Sequence, residues 1–226
     1  MNKISVWQRI AKTAGSLVNI FDPDNWLPGG KDAAFTLALV ALSAKMAVAD
    51  GVVSVSEVRA FRDMVVISER DLKQVERFFM LAQQDVAGYR SYARKVRKLF
   101  QNSPETLEHV LDALFSIAAA DGVIHEGEFE YLKNVSDIFG FDEARFEQIA
   151  ARFLINDNGV DPYLVLGLVP EATNSEIKRV YRRLVSEHHP DRLIAKGVPE
   201  ELISIATARV AAINAAYDQI AKVRGI

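Results

Sequence analysis

The sequence predicts an all-α protein, a helical bundle followed by an antiparallel helical hairpin. Three observations carry that expectation. Apolar residues recur at spacings of three and four through most of the chain, the period of one helix face. An apolar run, an Ala-Asp-Gly turn and a second amphipathic run occur twice, as AKMAVADGVVSVSEVRAF at 44–61 and FSIAAADGVIHEGEFEYL at 115–132, in register and with Glu57 matching Glu128. Near the C-terminus, two segments with complementary apolar stripes flank the stretch HHPDR at 188–192.

The 226 residues suggest one or two domains, and an apolar content of 50% is ample for a sizeable core. Absence of cysteine excludes disulfides, thiolate zinc sites and cysteine nucleophiles. Net charge is −3; residues 161–226 carry nine Lys and Arg against eight Asp and Glu, leaving −4 for the rest, so neither part has the basic excess of a general nucleic-acid binder. The four histidines, His109, His125, His188 and His189, fall in no HExxH or Ser-His-Asp order, and no glycine-rich phosphate loop occurs. The His188–His189 pair has no further zinc ligands nearby. The chain is therefore not expected to be an enzyme.

In order along the chain, Ile4, Trp7, Ala11, Ala14, Val18 and Phe21 recur at helical spacing with Lys3, Arg9 and Lys12 on the other surface. This amphipathic helix either packs on the next domain, the favoured role, or lies at a membrane surface. Arg9, Lys12 and Asn19 interrupt the run and no small-residue cleavage site follows, which argues against a cleavable signal. FDPDNWLPGGK at 21–31 is a turn-forming connector. Residues 33–49 are nearly all apolar, but the run includes Lys45 and falls short of the ~20 residues that span a bilayer. A buried core helix is expected there, in a cytoplasmic protein attached to a membrane at most peripherally.

Between and after the two repeat copies, 71–84, 87–101, 104–120 and 141–154 continue as helices, and INDNGV is a linker. Asp50, Glu57, Asp121, Glu126 and Glu128 would hold a divalent cation if the two acidic turns face each other, since hard ions take clustered carboxylates. A purely structural turn is favoured. Asp-Gly makes tight turns, Gly51 and Gly122 tolerate positive φ, Ser54 and Glu57 form a capping box, and neither copy has the alternating ligands of an EF-hand.

In the last third, DPYLVLGL at 161–168 is a short helix with Asp161 as cap, Pro162 in its first turn and Gly167 at its end. Residues 175–187 form a helix capped by Asn174 or Ser175, with Ile177, Tyr181 and Leu184 on one face. Pro190 stops it by forcing His189 out of the α region. Lys178, Arg179, Arg182 and Arg183 form an opposite stripe that attracts an acidic partner. A second helix runs from Pro199 to about Val223, with Ala206, Val210, Ile213, Tyr217 and Ile220 as its apolar stripe.

DPYLVLGL, SEIKRVYRRL, HHPDR and AAINAAYDQI, in this order, resemble the J-domain of DnaJ-type co-chaperones. The insertion LIAKGVPEELISIATARV is similar to that of the DjlA family, which joins a TerB-like domain to a C-terminal J-domain. The two acidic-turn hairpins resemble the TerB-like fold. The resemblance implies an N-terminal helix and connector at 1–30, a TerB-like bundle at 31–155 and a J-domain at 156–226. It implies docking on a DnaK-type heat-shock ATPase and acceleration of its ATP hydrolysis. Lys178, Tyr181, Arg182 and Arg183 would form the docking face, and His189, Pro190 and Asp191, in an exposed loop, the trigger. TerB-like domains have been connected with metal binding, so an envelope-stress or metal-sensing adaptor is the alternative. DjlA proteins carry a membrane-spanning N-terminal segment, and this sequence departs from that pattern.

Overall fold

A computed structural model of the chain describes residues 31–46, 55–64, 79–80, 88–154, 161–195 and 201–226. The amphipathic helix expected at 1–21, its connector, the first Asp-Gly turn and the linker at 155–160 lie outside the described residues, as does most of 71–84. The described elements are all helical, as the sequence predicts.

The bundle is built around two helices, α1 (Lys31–Met46) and α4 (Pro104–Ala118). Residues 38 to 46 of α1 are buried on every side, including Ser43 and Lys45, which is the condition of a helix without a polar face. Lys45 places its ammonium over the Tyr92 ring, 5.6 Å from the centroid. Around this pair pack α2 (Val55–Met64), α3 (Tyr89–Leu99), α5 (Glu126–Phe139) and α6 (Glu143–Ala150). The strongly basic α3 buries only Tyr92, Ala93 and Val96 and leaves Arg90, Arg94, Arg97 and Lys98 in solvent. Tyr131 of α5 donates to the Leu42 carbonyl of α1 (2.9 Å), satisfying a hydroxyl that burial would otherwise make costly. Phe115 stacks on Phe153 at 5.2 Å and touches Phe146 at 5.8 Å, tying α4 to α6.

The second acidic turn follows α4 as a single 3₁₀ turn, Ala119–Asp121, closed by Gly122 at φ +95°, where a side chain would be strained. The Asp121 carboxylate accepts the Val123 N–H (3.0 Å), and Glu128 accepts the His125 N–H (3.0 Å) at the start of α5. The expected turn role is thus visible in this copy.

The hairpin comprises α7 (Pro162–Leu166), α8 (Asn174–His188), α9 (Pro190–Ala195) and α10 (Glu201–Arg224). The Asp161 carboxylate accepts the N–H groups of Tyr163 and Leu164, and Gly167 terminates α7 at φ +67°, as the sequence predicts. Two local expectations are corrected. The cap of α8 is Thr173, not Asn174 or Ser175: its hydroxyl accepts the Glu176 N–H, and the Glu176 carboxylate accepts the Thr173 N–H at 2.9 Å, a reciprocal capping box. Pro190 and Asp191 open the short helix α9 instead of lying in a loop, because proline in a first helical turn loses no needed hydrogen bond.

α8 and α10 run antiparallel. Tyr181 meets Asn214 and Tyr217 midway, while Arg224 at the end of α10 donates to the Tyr163 hydroxyl (2.8 Å), to Asn174 (3.2 Å) and to the carbonyls of Ala172 and Pro170. The stripe of α10 is wider than its apolar residues suggest. Ala206, Ile213, Ala216 and Ile220 are buried, Val210 and Tyr217 only half-buried, and Ile205 and Arg209 are buried as well. The reason is that α10 packs on α4 and α2 of the bundle as well as on α8, and Ile205 belongs to the bundle core.

Candidate functional site

The HPD tripeptide stands where α8 gives way to α9. His189 is extended at φ −62°, ψ 131°, the conformation that a following proline favours. Its Nδ1 accepts the Asp191 N–H at 3.3 Å and lies 3.7 Å from the Asp191 carboxylate. In the neutral ring the proton therefore sits on Nε2. The His189 side chain is 51% exposed and that of Asp191 86%, so the carboxylate is presented to solvent from a turn whose backbone is already set.

Next to this turn runs the basic face of α8. Arg179, Arg182 and Arg183 are exposed and Lys178 is half-buried. No ion pair engages any of the four among the described residues. Tyr181 is different. Its ring stacks on Tyr217 (4.0 Å between centroids, 13° between planes) and its hydroxyl donates to Asn214 at 3.1 Å, so it fixes the hairpin and leaves only part of its ring at the surface.

Behind the exposed surface lies a buried set of charges absent from the sequence-based expectations. Glu108 and Asp112, one turn apart on α4, receive three arginines. Arg145 of α6 reaches Glu108 at 2.6 Å, and Arg152, just after α6, reaches Asp112 at 2.5 Å and Glu108 at 3.5 Å. Arg209 of α10 donates to Asp112 at 3.3 Å and to Glu108. All but Arg145 are almost fully buried. Beside them the rings of His109 and His188 meet edge to face at 5.5 Å, and both are buried. Burial alone would raise the Glu108 carboxyl, but Arg209, Arg152 and Arg145 together outweigh it and hold the group well below the usual carboxylate range. Burial, reinforced by Arg209, pushes His109 down to about 4 and His188 to about 2, so both are neutral at pH 7. Burial and the neighbouring Arg152 also lower Arg209 to about 10, against the pull of Asp112 and Glu108.

Of the proposed cation ligands, Asp50 lies outside the described residues, as does the side chain of Glu57. Asp121 and Glu128 are engaged by backbone N–H groups of their own turn, and Glu126 is exposed at the start of α5. No group of three or more His, Asp or Glu side chains gathers in metal-holding geometry among the described residues. No described helix is long and apolar enough to cross a membrane.

The buried network was missed because its members are far apart in sequence. One signal was present: Arg209 sits at helical spacing among Ile205, Ala206, Ile213 and Ala216, where a cation is out of place unless it has a buried partner.

Comparison with known proteins agrees with this arrangement. The family model of the tellurite resistance protein TerB matches residues 36–151, and that of the DnaJ domain matches 161–223. The chain is 31% identical over 220 residues to the co-chaperone protein DjlA of Photobacterium profundum, covering 86% of this chain and 79% of that one. To DjlA of Coxiella burnetii it is 34% identical over 203 residues, 80% of this chain and 74% of the relative. To DjlA of Aliivibrio fischeri it is 28% identical over 228 residues, covering 87% and 81%. No solved structure matches. With both domain families matched in order and two such relatives above 30% identity, the chain belongs to the DjlA family of co-chaperones.

Proposed function

We propose that this co-chaperone docks its J-domain on a DnaK-type ATPase and accelerates ATP hydrolysis there through His189, Pro190 and Asp191. The observation that carries the proposal is the juxtaposition of an 86% exposed Asp191 carboxylate, on a preset turn, with the cationic face of Lys178, Arg182 and Arg183. The cations draw in an acidic surface of the partner and set the register of docking. Asp191 then competes for a cation that the resting ATPase uses internally. His189 holds the Asp191 N–H, and Pro190 restricts the backbone between them. Tyr181 supports the face from within the hairpin and offers its ring edge. The bond-breaking chemistry belongs to the partner, and this chain supplies only binding energy that favours the partner's hydrolysis-competent state.

The bundle supplies targeting, or binding of a client or partner. A cytoplasmic location with peripheral attachment at most would appear as release of any membrane-bound fraction by carbonate, and a carbonate-resistant pellet would contradict it. The co-chaperone function is tested by single-turnover hydrolysis of ATP preloaded on a purified DnaK-type chaperone. The wild-type chain should accelerate turnover in a saturable way and His189→Gln should not, with unchanged helical content. Equal acceleration by both would refute the assignment of the tripeptide.

A further inference from the structure

The buried charged cluster joins the bundle to the hairpin at the end that carries the tripeptide. Resting on the co-chaperone function proposed above, we infer that Glu108, His109 and Asp112 of α4 are positioning residues for the trigger: the bundle aims the HPD turn as well as carrying it. His188 precedes His189 directly, so the place of its ring sets the end of α8 from which the turn departs. That ring is 1% exposed and seated edge-on against His109. The other arm of the hairpin, α10, is held by Arg209, whose guanidinium is bound by Glu108 and Asp112. Both arms are thus fastened to residues 108, 109 and 112, within little more than one helical turn of ~3.6 residues. Ile205 of α10, buried in the bundle core, adds an apolar contact on the same side. Between the two arms, α9 packs on α8 and α10, so the helix that begins with Pro190 and Asp191 inherits their placement.

The chemistry of the fastening favours a role in positioning over one in adhesion. Burying two carboxylates with two guanidiniums costs more desolvation than an apolar contact of the same size, and the return is a fixed geometry. The ion pairs fix α10 through Arg209, and beside them the His109 ring seats His188, one peptide bond from the trigger. Arg183, by contrast, is five residues back along α8, about 7.5 Å at 1.5 Å per residue, and the remaining docking cations are farther still. Loosening the seat should therefore free the trigger and spare the docking face.

The test uses the full chain in the single-turnover assay, with two kinds of variant. Glu108→Gln/Asp112→Asn/Arg152→Met/Arg209→Met removes the buried charges together, so that only the partly exposed Arg145 keeps its charge. His109→Ala empties the seat of His188 and leaves the ion pairs. For either variant with wild-type helical content, the half-saturating concentration should stay within about twofold of wild type while maximal stimulation falls about fivefold or more. Amide exchange at 189–195 should speed up. Arg209→Lys, which keeps the charge, should retain most of the stimulation. Wild-type maximal stimulation in the charge-removed variant and in His109→Ala would overturn the inference, and so would a loss confined to half-saturation. The outcome is distinct from failure of the co-chaperone function itself, which would show as no stimulation by wild type or full stimulation by His189→Gln.

Discussion

Lowering the pH from 7 to 5 should cost the folded chain about 4 kcal/mol through His109 and His188. Both imidazoles have folded-state values below the ordinary 6.5, about 4 and about 2, because burial and then Arg209 disfavour the charged ring. Below pH 6.5 the unfolded chain binds a proton at each site that the folded chain refuses, so stability falls as pH falls. At pH 5, about 1.5 units below the unfolded value, each ring contributes about 2 kcal/mol of destabilisation at 1.36 kcal/mol per unit. The His109 contribution levels off near pH 4, where the folded chain accepts the proton, and that of His188 continues to lower pH. Glu108 acts in another window: its lowered carboxyl stabilises the fold fully above about 4.5 and loses that stabilisation only as pH falls further. The assay is urea unfolding at pH 7 and pH 5 of the wild type, His109→Leu and His188→Leu. Each substitution should remove about half of the pH-dependent loss. Equal stability of the wild type at the two pH values, or an undiminished loss in both variants, would show that the rings are not held neutral in the interior.

The docking face and the acidic turns give further tests. Arg182→Glu/Arg183→Glu should weaken binding to the DnaK-type partner, and raising salt should weaken the wild type likewise, since exposed charges are screened over ~8 Å at physiological ionic strength. An affinity independent of salt would contradict the electrostatic docking. Calorimetric titration with calcium or manganese should show no stoichiometric site, because Asp121 and Glu128 are already engaged by backbone donors. A site present in the wild type and lost in Asp50→Asn/Asp121→Asn would overturn that expectation, and would raise the melting temperature of the loaded wild type by linkage.

The parts of this fold that were legible in the sequence are those written in local chemistry. Asp161, Pro162 and Gly167 cap, start and end α7 within seven residues, and Pro190 sets the end of α8 by acting on the residue before it. The nearly all-apolar run at 33–49 identified a helix buried on every side, which α1 is from Ala38 to Met46. The tripeptide and the basic stripe were equally legible, being contiguous or on one helix face. The buried network was not, since Arg209 meets Glu108 and Asp112 across about a hundred residues, and nothing local pairs them. Nor does the sequence say which of two adjacent histidines turns inward. That is decided by the phase of α8, which buries Ile177, Val180, Leu184 and then His188 at spacings of three and four, and by the release of His189 from the helix at Pro190. The start of α8 was misplaced by one residue because Thr173, Asn174 and Ser175 are all good caps, and only Glu176 three residues after Thr173 decides among them.

The central claim, that an exposed carboxylate on a preset turn triggers hydrolysis in a docked partner, is tested most directly with Asp191→Asn. This change keeps the size of the side chain and the turn that His189 holds, and removes only the charge. Binding of the variant to the DnaK-type chaperone and its maximal single-turnover stimulation should be measured on the same preparation. The account predicts binding within about threefold of wild type, carried by Lys178, Arg182 and Arg183, with stimulation reduced to the rate of the chaperone alone. Wild-type stimulation by Asp191→Asn would contradict it.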